Sequence, residues 1–140
     1  MRYTIIAIIA LCTVIACKNT KKAVAKTPPQ TVKAEPRPFK VDTITPMLKL
    51  APEPNGSMMI TNVQVYVVTK NQPAAGVRVV LANGETKNYI LPQIQNLETF
   101  SFGGNMKIPV PKGAHVIIDV FDGTTSKPMQ GKMVVMGYYE

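Results

Sequence analysis

From Ser57 onward the chain is written in short runs of β-branched residues that alternate apolar with polar, and a period of two restricts such runs to strands. Residues 61–69 (TNVQVYVVT) place Val63, Val65 and Val67 on one face, with Gln64 and Tyr66 on the other. Residues 77–81 point Val77, Val79 and Leu81 inward, and residues 114–121 (AHVIIDVF) do the same with Val116, Ile118 and Val120. Further strands are expected over 86–91, over 98–102 with Phe100 and Phe102 on one side, over 106–110, and over 131–136. Turn residues separate them: 71–76, Asn83-Gly84, Gly103-Gly104-Asn105, Pro111-Lys112-Gly113 and Asp122-Gly123. Asn83-Gly84 predicts a type I′ hairpin with both residues at positive φ, and Pro109 predicts an edge strand. About seven strands in roughly 80 residues predict an all-β fold, a small antiparallel β-sandwich over 57–140.

The start of the chain follows other rules. Arg2 precedes an apolar run from Ile5 to Ala16, the pattern of a secretory signal. The run is too short for a bilayer core of ~30 Å, which needs ~20 apolar residues in a helix. Val14-Ile15-Ala16-Cys17 resembles the bacterial lipobox, in which a branched residue and a small residue lead to an obligatory cysteine. The resemblance implies cleavage between Ala16 and Cys17, with lipid on the Cys17 sulfur and acyl on its new amine. Cys12 follows bulky Leu11 and does not fit that pattern. Two or more acyl chains hold a protein on a membrane stably, at ~0.8 kcal/mol per buried methylene. Lys18 stands where inner-membrane retention signals carry Asp, so the expected place is the outer membrane, facing the periplasm.

Residues 17–56 read as a linker. Seven of the chain's twelve prolines fall between Pro28 and Pro54, and no glycine precedes Gly56. Eight Lys/Arg stand against three acids over 18–55, so much of the chain's +8 charge lies here. Such a composition predicts a disordered, semi-stiff tether. Its cations are suited to anionic lipid or cell wall, at ~1 kcal/mol each near an anionic surface. A solvated spacer is the plainer reading. No nucleic-acid partner is expected for an exported, lipid-bearing chain.

Three stretches of the folded part look like transthyretin-like and carboxypeptidase-regulatory-like β-sandwich modules: residues 72–81 (QPAAGVRVVL), 98–102 (ETFSF) and 108–118 (IPVPKGAHVII). They carry a turn–Gly–Val–x–Val strand, a Phe-x-Phe strand and a Pro-x-Gly turn into a long strand, over about half of the folded part. The resemblance implies the sandwich and implies no catalytic residues.

Candidates for chemistry are few. His115 is the only histidine, and four strand residues at ~3.3 Å each put it roughly 13 Å from Asp119. With one cysteine cleaved away and the other lipidated, a zinc ligand set is not available. Asp119 and Asp122 could join a calcium site, but Asp122-Gly123 is explained by a turn. Glu85 and Glu98 form a carboxylate pair only if folding joins them. Ser57, Ser101 and Ser126 have no neighbouring base. The expectation is a non-enzymatic protein without catalytic residues, metal or cofactor. Met58, Met59, Met106, Met129, Met133 and Met136 suit core filling, or an adaptable binding surface. Tyr138 and Tyr139 suit an interface, or a packed terminal strand.

Two roles fit this layout. The first is a membrane-anchored docking component of a multiprotein cell-envelope complex. Its architecture is similar to that of the small outer-membrane lipoproteins of type VI secretion systems. The second is a lipoprotein that binds glycan or peptidoglycan, for which Tyr66, Tyr89, Tyr138 and Tyr139 are the stacking candidates in a chain without Trp.

Overall fold

The computed structural model describes residues 35–140. Ala16, Cys17 and residues 17–34 of the expected linker lie outside the described residues. The rest is strand and turn, in chain order β1 (Arg37–Thr45), β2 (Met47–Leu50), β3 (Met58–Val68), β4 (Pro73–Val80), β5 (Thr86–Tyr89), β6 (Gln93–Asn96), β7 (Thr99–Val110), β8 (His115–Asp122) and β9 (Gly131–Tyr139). One antiparallel sheet has the order β1-β9-β3-β7-β6, and the other β2-β8-β4-β5. Among the described residues there is no helix, and the fold is an all-β sandwich.

The core is the alternation made solid. Val63, Val65 and Val67 of β3 join Phe100 and Phe102 of β7 and Met133 and Val135 of β9 from one sheet. Val77 and Val79 of β4 and Val116, Ile118 and Val120 of β8 meet them from the other. Removing such a side chain from water stabilises by ~1.5–3 kcal/mol, so these inner faces set the strand register. Leu81, expected inward, is only partly buried and packs at the margin of the core.

Four expectations change. The sandwich has nine strands, and β1 and β2 lie inside the stretch read as linker. Phe39 and Val41 of β1, with Leu48 and Leu50 of β2, pack against the core at a spacing of two. Two of the prolines that argued for a tether occupy tolerated places: Pro38 lies on an edge strand, and Pro46 at the corner between the sheets. Gly103-Gly104 does not end a strand, because β7 runs unbroken from Thr99 to Val110. Gly103 sits at φ 106, and a Cβ there would lie 1.9 Å from the Val63 carbonyl oxygen, so the pair bends β7 closely over β3. The register of β3 shifts between Ile60 and Asn62, where the Asn62 amide donates to Asn105 Oδ1 at 2.8 Å.

The Asn83-Gly84 hairpin forms, but only Gly84 takes positive φ, at 86°. The Leu81 carbonyl accepts from the Gly84 N–H at 2.9 Å, and Asn83 Oδ1 accepts from the Glu85 N–H at 3.0 Å. That longer turn is a type I form closed by a left-handed glycine. The fourth change is β6, which sequence patterning missed altogether. Pro109 does sit at a free margin, since β6 pairs with β7 only as far as Phe102.

Candidate interaction surfaces

Strand register gives the sandwich two poles. The chain enters β1 at Arg37, which lies opposite Tyr139, and Tyr139 lies opposite Met58, itself opposite Val110. The turns around 51–57, 81–85 and 111–114 share that pole. The opposite pole carries the end of β3 at Val68, the β6–β7 turn at Leu97-Glu98, and the loops 69–72 and 123–130.

At the first pole the residues are tied down. Tyr139 packs on Phe39 with ring centroids 5.0 Å apart, and the Arg37 guanidinium lies 5.9 Å from the Tyr139 centroid. Arg37 also pairs with Glu53, and the Ser57 hydroxyl donates to the Glu140 carboxylate at 3.0 Å. Tyr138 and Tyr139, expected at an interface or in a terminal strand, lie in β9 and are both half-buried.

The far pole is different. Val68, Ile94 and Leu97 are 78, 68 and 90% exposed. Tyr66, Ser101 and Ile94 stand in one row across β3, β7 and β6, on the face turned away from the core. Between Tyr66 and Ile94, Gly103 and Gly104 leave a shallow groove of about 300 Å³. The Tyr66 hydroxyl donates to Gln64 Oε1 at 2.8 Å, which holds the ring along this groove. Leu97 takes φ 52, a left-handed conformation that costs an ordinary L-residue ~1–2 kcal/mol.

Across the outer face of the second sheet, Arg78 Nη2 meets Asp119 Oδ2 at 2.9 Å. Gly76 makes room for that carboxylate, since a Cβ there would stand 2.6 Å from Asp119 Oδ1. Met47, Phe121 and Pro128 wall a groove of about 390 Å³ beside the pair. His115 lies half-buried in β8 opposite Val80, and Asp119, four residues along the same strand, is engaged by Arg78.

Asp122 has a structural duty. Asp122 is buried at the head of the 123–130 loop. The backbone N–H groups of Thr125 and Thr124 donate to its Oδ1 at 2.9 and 2.8 Å, and Asn71 Nδ2 donates to Oδ2 at 3.1 Å. Those donors, the Thr125 and Thr124 N–H first, hold its carboxyl below the ordinary 3.8 against the opposing effect of burial. Glu85 lies in the β4–β5 turn at one pole and Glu98 in the β6–β7 turn at the other, so they form no pair. Among the described residues no three His, Cys, Asp or Glu side chains converge as a metal site would require. Met58 and Met133 are buried core, and Met106 and Met129 pack against it.

No protein-family model matches this chain, and no curated protein matches it.

Proposed function

We propose that the chain is a membrane-anchored, non-enzymatic lipoprotein that docks envelope proteins as a structural component of a multiprotein complex, of the kind found in type VI secretion-like systems. The observation that carries the reading is the polarity of the sandwich. The described residues begin at a pole closed by the Phe39–Tyr139 stack and the Arg37–Glu53 pair. Exposed apolar residues gather at the other pole, the mark of a surface that meets a partner protein. Val14-Ile15-Ala16-Cys17 supports the anchor, and Lys18 supports the outer membrane over the inner.

An anchor of this kind raises the local concentration of the sandwich for envelope partners without any new contact. Cys17→Ala tests the first half of the reading. The variant is expected to leave the membrane fraction, and its persistence there sinks the anchor. Capture of solubilised envelope complexes by the native protein tests the second half. One large co-purifying assembly is the expected result, whereas retention on peptidoglycan alone favours glycan binding.

A further inference from the structure

The sheet edges differ in how they are guarded. β1 carries Pro38 and Lys40, β2 carries Lys49, β5 carries Lys87, and the free stretch of β7 carries Lys107 and Pro109. Lysine and proline at such places block strand-on-strand pairing. β6 reads Gln93-Ile94-Gln95-Asn96, with no charge and no proline, and all four residues are exposed. It is the unguarded edge among the described residues.

The backbone of β6 shows what it offers. Asn96 lies opposite Thr99 across a two-residue turn, and the Pro92 carbonyl accepts from the Gly103 N–H at 2.8 Å. Alternation along an antiparallel ladder then turns the N–H and C=O of Ile94 and Asn96 toward β7. The same groups of Gln93 and Gln95 face outward. We propose that β6 pairs antiparallel with β6 of a second copy of this chain, about a two-fold axis at Ile94.

The register follows from satisfying all four outward groups. Gln93 of one copy lies opposite Gln95 of the other, and each such pair exchanges two backbone hydrogen bonds. Ile94 then faces its own counterpart as a close, non-hydrogen-bonded pair on the outer face, which covers a side chain that is 68% exposed in one copy. No charge of β6 opposes a like charge, so the edge is self-complementary, as a two-fold interface requires. The row Tyr66–Ser101–Ile94 would continue across the axis into the corresponding sheet of the second copy. Four residues a side bury far less than the ~1,200–2,000 Å² of a stable interface, so the pairing is weak and needs trapping.

Cysteine crosslinking of the full chain in intact cells tests it. A close pair with Cα atoms ~4.5 Å apart lies within disulfide range, so Ile94→Cys should give about tenfold more oxidised dimer than Ile44→Cys. Ile44 is 70% exposed on β1, at the other edge of the same sheet, which makes it the matched control. The unsubstituted chain measures any background from Cys12 and Cys17, and the readout does not depend on lipidation. Adding Gln95→Pro removes an outward N–H that β7 does not use, and should abolish the dimer while β6 stays paired. Equal crosslinking at both positions overturns the pairing, as does a dimer that survives Gln95→Pro. Capture of Ile94→Cys by a different polypeptide alone assigns the edge to another occupant and also overturns it.

Discussion

β1 and β6 are the two edges of one sheet, and they have opposite characters. β1 is nine residues long, packs Phe39 and Val41 against the core, and lies in register along the whole of β9. β6 is four residues long, exposed on both faces, and held by β7 alone. One edge finishes the fold and the other leaves it open. The contrast teaches that edge position alone does not make a strand available. Availability needs missing cover, missing charge and outward backbone groups together.

Truncation should break the contrast most severely. A chain that begins at Ser57 lacks β1 and β2 and bares one side of Met133 and Val135, so it should fail to show a cooperative thermal transition by circular dichroism. A chain that begins at Glu35 should retain one. If both melt alike, β1 is an ornament and the comparison collapses.

Within the folded chain, Phe39→Ala removes the ring that packs on Tyr139 and should cost about 2 kcal/mol, below the fully buried range because the site is half-exposed. Denaturant unfolding checks this. Ile94→Ala, the matching change on β6, should fall within ~0.5 kcal/mol of the parent.

Asp122→Asn sharpens the account of the far pole, with an expected loss smaller than that of Phe39→Ala. The folded carboxyl titrates below 3.8, so its stabilisation is present above that value and disappears as pH falls through the folded pKa. The parent and the variant should therefore differ at pH 7 and converge in strong acid. A gap that stays constant with pH would assign the effect to packing.

The smallest effect concerns the turn beside β6. Leu97→Gly relieves a left-handed leucine and should stabilise the monomer by about 0.5–1 kcal/mol at most, since glycine also loosens the unfolded chain. Destabilisation there would mean that the Leu97 side chain has a packing role.

Legibility in the sequence followed the same divide. β3, β4 and β8 were readable because a buried face forces alternation, and the inward valines and isoleucines stand where the period of two puts them. β1 carries that period too, in Phe39 and Val41, but Pro38 within it and the prolines around it suggested a tether, and the edge position explains Pro38. β6 has no buried face, so burial never shaped its residues, and its turn uses leucine where glycine or asparagine would have signalled a hairpin. The joining of 98–102 and 106–110 into one strand hid behind Gly103-Gly104, whose spacing suits a turn and a close backbone approach equally well. The far pole, where the candidate surface lies, was therefore the part least visible in advance.

The proposed function rests on Cys17, and intact mass of the protein purified from its native cells addresses it most directly. The expected species begins at Cys17 and carries a diacylglyceryl thioether together with an acylated amine. A chain that still begins at Met1, with an unmodified sulfur at Cys17, would contradict the anchor and with it the proposed role in the envelope.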